Sequence, residues 1–322
     1  MIALHFNKVR LIQSNYIIDT ASQYNEALKK LLDLHKNTAD VNDLRYVRKI
    51  CIMFRKHPDI ITALPDQLQR IAGFIGSVPI QRVPYTRNGR THLRNKKSDI
   101  WKKIVEALGY EELRSSFYPR YFSHLGIKSC VYCNAQYTLS IEKRSGIVTA
   151  KYDVDHYRPK SSFPWQCISL FNLYPSCAPC NRAKAGSLID FNLYSDIPDA
   201  ISSSAFQFRL DASSKSNFLT SKNINDIKFV FENNIGTNDH DEMFSITPIY
   251  ETQQDLAAEL IISSQMYDKA ARESLMRNFS RLHISKDVFN RVILGNYTSE
   301  KDIHRRPMSK FSQDIAKDLG IL

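Results

Sequence analysis

The sequence predicts a mixed α+β fold that is mainly α-helical, and three observations predict it. Apolar residues recur at helical spacing over roughly the first 120 positions and again from about Thr252. Between about 190 and 250 they alternate at period two, as half-buried antiparallel strands do. In the middle, two Cys-x-x-Cys pairs, Cys130/Cys133 and Cys177/Cys180, bracket a segment that reads strand, loop, strand, helix. Three regions follow: a helical part over 1–126, a core over 127–190, and a small antiparallel sheet with C-terminal helices over 191–322.

Taken in order, Thr20 and Gln23 have the spacing of a capping box, and Tyr24, Leu28, Leu31 and Leu32 continue one face to about His35. A second helix opens near Asp40 or Asn42, carries Leu44, Val47, Ile50, Cys51 and Phe54, and stops before Pro58. Pro65 opens a third, which ends at Gly76. From Ile80 to Ser98 the character changes. The stretch holds Arg82, Arg87, Arg90, Arg94, Lys96 and Lys97 without a carboxylate, and its Pro and Gly predict a loop or irregular ribbon. Flexible cations of this kind can follow a phosphate backbone, the plainer alternative being a solvated linker.

Ser98 caps a helix through Trp101, Ile104, Val105 and Leu108 that Gly109 closes, and a short helix through Tyr118, Tyr121, Phe122 and Leu125 ends at Gly126. After the core, strands are expected on Phe206/Phe208/Leu210, on Ile227/Phe229/Phe231 and on Phe244/Ile246. Leu256, Leu260, Ile261 and Tyr267 then mark one helix, Leu275, Phe279 and Leu282 a second, and a last follows Ser309.

The 322 residues carry 44 Lys plus Arg against 33 Asp plus Glu, and a net charge of +11 favours a polyanionic partner. No apolar run approaches the roughly 20 residues that span a bilayer, and the N-terminus lacks a cleavage pattern, so no membrane contact and a cytoplasmic location are expected. Four of the six cysteines fall in Cys-x-x-Cys pairs in a large chain, which favours metal thiolates over a disulfide framework. Two such turns supply the four soft ligands of a closed tetrahedral zinc site, a structural role. Cys51 and Cys167 fall outside any ligand pattern and read as buried thiols.

Between the cysteine pairs, Lys151 to Val154 reads as a strand end with Asp155 and His156 at its exit. Phe171-Asn172-Leu173-Tyr174 leads into a second strand, and a short helix starts near Asn181 and ends by Gly186. Strand, loop, strand and helix with these residues resemble the HNH, or ββα-metal, nuclease family. The resemblance implies that His156 activates water, that Asp155 and Asn181 hold a catalytic Mg²⁺ or Mn²⁺, and that Asn172 orients the base. Asn181 stands where the family name has its last His, and a neutral oxygen suits a hard cation. Nearby Arg158, Lys160, Arg182 and Lys184 are expected to contact nucleic-acid phosphate, together with Arg87, Arg90, Arg94, Lys96 and Lys97.

On both flanks, CVYCNAQYT, VDHYRPKSSFP, LFNLYPSCAPCNRAKAG and GNYTSEKDIHRRPMSKFSQDI are similar to bacterial HNH proteins of the Septu and retron anti-phage type. That resemblance implies an effector gated by an ABC-type ATPase on another polypeptide, since no Walker A pattern is present here. DNA is the family's default substrate. The alternatives are RNA, including tRNA, because a one-metal site grips phosphate without reading the 2′-OH, and a non-catalytic zinc-dependent nucleic-acid-binding adaptor.

Overall fold

After a short strand Leu4–His5 and a helix Phe6–Gln13, three longer helices, Ile17–Lys36, Val41–Lys56 and Pro65–Ile75, form the N-terminal part of the computed structural model, which describes residues 1–233, 240–279, 283 and 285–322. Asp40 caps the second of these three, accepting from the Asn42 and Asp43 amides at 2.9 Å each. Thr20 does not cap the first. Its hydroxyl donates back to the Tyr16 and Ile17 carbonyls at 2.9 and 3.1 Å, so the chain is already helical there and the capping-box expectation is corrected.

The basic stretch is likewise not irregular. Ile80–Arg87 and Arg90–Lys97 pair as a regular antiparallel hairpin, with Thr86 opposite Thr91 and Val83 opposite Arg94. Asn88 and Gly89 make the turn with φ of 51° and 72°, the two positive values that a type I′ turn requires. This Asn-Gly pair was the sequence signal for a hairpin. Helices Ile100–Ala107, Tyr110–Ser116 and Tyr118–Leu125 follow; the middle one was not foreseen.

Strands Asp153–His156 and Leu173–Ser176 pair antiparallel, with Asp155 opposite Tyr174 and His156 opposite Leu173. Helix Ala178–Lys184 comes next. It starts before Asn181 because Pro179, in its first turn, is already set at a helical φ. The first strand of this pair runs on through Asp155 and ends at His156, so Asp153 and Asp155 share a face.

Phe206–Leu210 and Phe229–Asn233 form the expected antiparallel pair, Phe208 facing Phe231. The third expected strand is replaced by helices His240–Phe244 and Ile246–Glu251. Their buried residues, His240 with Phe244 and Ile246 with Tyr250, recur every four positions, a helical interval that the alternation of Phe244 and Ile246 masked. Helices Gln254–Met266, Lys269–Asn278, Lys286–Leu294 and Ser309–Asp318 complete the chain. Leu282, expected on one of these faces, lies outside the described residues. The chain is 54% helical, a mixed α+β fold with small antiparallel sheets. Among the described residues no helix is long and apolar enough to cross a membrane.

One apolar core runs from Met1 to Ile321. Its C-terminal part is stitched to the first cysteine turn by three consecutive carbonyls. Tyr132 O accepts from His240 Nε2 at 2.9 Å, Cys133 O from the Tyr250 hydroxyl at 2.9 Å, and Asn134 O from the Met308 amide at 2.7 Å. The Asn134 amide also donates to Ile303 O and Ser129 Oγ, and its oxygen accepts from the Lys310 amide. Lys310 is buried beside Asp314, 2.8 Å away.

His304 is also buried here, its Nε2–H donating to Ile2 O at 2.7 Å, and burial lowers its pKa from 6.5 to about 4. Because the folded pKa lies below the unfolded one, this contribution is complete above pH 6.5 and is lost as pH falls toward 4. Denaturant melts are expected to lose about 2 to 3 kcal/mol from this group between pH 7.5 and 4.5. His304→Gln, which keeps the donor without titrating, should show a shallower pH dependence by about one proton.

Candidate metal centre and active-site cavity

Cys130, Cys133, Cys177 and Cys180 are all buried, and their sulfurs lie within 4.8 Å of one another. Tetrahedral Zn–S bonds of about 2.3 Å set sulfurs about 3.8 Å apart, and Cys133 and Cys177 are at 4.0 Å. The donor set fits: the four cysteines can hold a metal ion such as zinc. Backbone amides of Cys177 and Ala135 donate to the sulfurs of Cys130 and Cys133 at 3.3 and 3.4 Å, bonds that favour the thiolate. Hydrogen bonds from Cys130 hold Cys133 and Cys177 low, whereas burial pushes Cys130 up. All four as thiolates in one buried volume would need a cation between them.

Beside this centre lies a cavity of 290 Å³ lined by Asp155, His156 and Asn181, with Trp101, Tyr110, Arg114 and Lys160 around them. His156 is fixed on two sides. Its Nε2 lies 3.2 Å from Cys167 O, and since a carbonyl only accepts, Nε2 carries the proton and Nδ1 the lone pair. The Tyr110 ring packs 4.8 Å from the imidazole, and its hydroxyl donates to Val154 O. Burial, reinforced by Lys160, Lys184 and Arg114, lowers the His156 pKa from 6.5 to about 3, so the ring is neutral at physiological pH.

Asp155 is held by the cysteine turn itself. The Tyr132 hydroxyl, between Cys130 and Cys133, donates to Asp155 Oδ2 at 2.5 Å. Lys184 approaches the same oxygen at 3.1 Å and donates to His156 O at 2.7 Å. With Oδ2 taken, Oδ1 is the oxygen a divalent cation would use. Asn181 directs its amide nitrogen to Asp153 Oδ2 at 3.0 Å, and Asp153 also pairs with Arg114 at 3.1 Å. The Asn181 oxygen is the donor a hard cation would take. Asp155 and Asn181 both line the cavity, and each has one oxygen for which the bonds above leave room.

Asn172 closes the loop that leaves His156. Its oxygen accepts from the Arg158 amide at 2.8 Å, and its amide donates to Arg158 O and Gln166 O at 3.2 and 3.1 Å. The expected phosphate contacts divide. Lys160 lines the cavity, 4.5 Å above the Tyr110 ring and 3.5 Å from Glu111. Arg182 is exposed on the short helix. Arg158 turns away, stacking 5.1 Å from Phe163, bonding Gln69 and lining a separate cleft with Asn172. Lys184 is fully buried, which corrects its expected role: its charge balances Asp155 from beneath and cannot reach a ligand. Lys96 pairs with Asp99 at 2.7 Å, and Lys97 bonds Ser162 at 2.6 Å, while Arg87, Arg90 and Arg94 are exposed on the hairpin.

Sequence reasoning did not find Tyr132, Tyr110 or Arg114. Tyr132 had no pattern of its own, since only the fold brings its hydroxyl to Asp155. No family model matches this chain, and neither a curated protein nor a solved structure does.

Removing one partner of a buried ion pair typically costs about 3 to 5 kcal/mol. Lys184→Met is expected to lower stability by that amount in denaturant melts, while Arg182→Gln on the same helix stays within about 0.5 kcal/mol.

Proposed function

We propose that the chain is a metal-dependent endonuclease that hydrolyses nucleic-acid phosphodiester bonds, with DNA as its default substrate. One observation carries the proposal: Asp155, His156 and Asn181 converge on one cavity beside a closed four-cysteine centre, with Arg114 and Lys160 at its wall. Hydrolysis of a phosphodiester needs a base for the attacking water and positive charge on the phosphate oxygens. The neutral His156 offers its Nδ1 lone pair, its tautomer set by Cys167 O. Burial first, and then the nearby cations, depress the basicity of this ring; a phosphate bound among Lys160 and Arg114 would offset the cations' share.

A divalent ion on Asp155 and Asn181 would supply Lewis-acid stabilisation of the phosphate and leaving oxygen. Tyr132 and Lys184 keep the Asp155 carboxylate in place, and Asn172 holds the loop behind His156. The sequence resemblance of the flanks to anti-phage HNH proteins implies an ATPase partner that would gate the cleavage.

A zinc-dependent nucleic-acid-binding adaptor is the second reading. It is favoured by the Lys184 ammonium already balancing Asp155 and by the Asn181 amide being engaged with Asp153. The two differ in cleavage. With Mg²⁺ or Mn²⁺, wild type is expected to cut supercoiled plasmid, and His156→Ala to cut at least about 100-fold more slowly. Cleavage of total tRNA with plasmid left intact would reassign the substrate to RNA. No cleavage of either, including with a co-purified ATPase, would leave the adaptor.

A further inference from the structure

We infer that the 80–97 hairpin is a duplex-DNA arm that lies in the major groove and feeds the cavity at its root. The inference deepens the nuclease reading, on which its link to cleavage rests. Residues directly paired in an antiparallel hairpin share a face. Here Arg87, Arg90, Arg94 and Lys96 fall on one face with the paired Tyr85 and His92, whose rings are 5.6 Å apart. The other face carries Ile80, Pro84 and Leu93 with Arg82 and Lys97.

The charge arrangement is costly for folding. Arg87 and Arg90 are directly opposite, a repulsive pairing, and no carboxylate lies between Ile80 and Ser98 to relieve it. Arg94 rests over the Tyr85 ring at 5.6 Å, which keeps its guanidinium extended along the face. A solvated linker does not need a paired ladder and a two-residue turn of positive φ; a preorganised polyanion arm does.

The root of the arm belongs to the cavity. Lys97 donates to Ser162 at 2.6 Å and approaches Ser161 at 3.4 Å, and the Val78 amide bonds Ser162 O. Ser161 lines the cavity with His156, and Trp101 does so one turn beyond the hairpin. At about 3.3 Å per residue the strands extend about 25 Å from this root. The major groove of B-form DNA, about 12 Å wide, admits a two-stranded ribbon. The deep, narrow major groove of A-form RNA does not. That difference selects duplex DNA.

Fluorescence anisotropy would compare the full-length His156→Ala chain with the same chain carrying R87Q/R90Q/R94Q. The probes are one duplex as DNA and as RNA, over a range of salt without added divalent ions. Loss of three phosphate contacts should weaken DNA binding on the order of 100-fold near 150 mM salt and reduce the slope of log K against log salt by about 3. Duplex RNA binding should change little. The corresponding triple Lys variant keeps the charge and should keep the slope, which a folding defect would not allow. Unchanged DNA binding by the Gln variant, or an equal loss on RNA, overturns the proposal. Cleavage by wild type beside unchanged binding would reject the arm and leave the nuclease. Arm-dependent DNA binding without cleavage by wild type, including with a co-purified ATPase, would reject the nuclease and leave the arm.

Discussion

Four buried sulfurs within 4.8 Å of one another are the constraint on which the rest of the structure depends. Their ionised forms repel, and burial removes the water that would screen them, so four such thiolates would call for a soft cation, which the cluster could hold. Closing it joins the turn at Cys130–Cys133 to the turn that opens the Ala178–Lys184 helix, across a sequence separation of 44 at the Cys133/Cys177 contact. A metal bound there would add directly to folding free energy, because the unfolded chain holds no such site.

From the first turn, order spreads in two directions. The carbonyls of Tyr132, Cys133 and Asn134 accept donors from His240, Tyr250 and Met308, which seats the C-terminal helices. On the other side the Tyr132 hydroxyl fixes Asp155. The same peptide turn therefore sets both the docking of the last 80 or so residues and the position of a carboxylate in the cavity. Lys184 completes this by bonding the backbone of His156 and the carboxylate of Asp155 at once. A buried pair of this kind gives little net stability but fixes one arrangement of the strands and helix.

Much of this was legible in the sequence wherever the signal was local. The Asp40 cap, Pro65 and the two cysteine pairs act within a few residues, and each stands where the sequence places it. The basic hairpin was missed because its Pro and Gly suggested a loop or irregular ribbon, although Asn88-Gly89 carried the turn. The helices at 240–251 were missed because Phe244 and Ile246 imitate a strand over so short a span. Lys184 was misread for a different reason. Sequence places it near the other site residues, but only the three-dimensional packing decides whether a lysine beside a carboxylate points to solvent or into the core. Asp155, His156 and Asn181 were legible as a set, while Tyr132, Tyr110 and Arg114 reach them only through the tertiary fold.

The central claim is that a water deprotonated at His156 attacks a phosphodiester in this cavity. Cleavage in ¹⁸O-labelled water, followed by mass analysis of the product ends, tests it most directly. One labelled oxygen on the phosphate at each cut by wild type, with both label and cuts lost in His156→Ala, is the predicted result. Cuts without label, or cutting by His156→Ala at the wild-type rate, would contradict it.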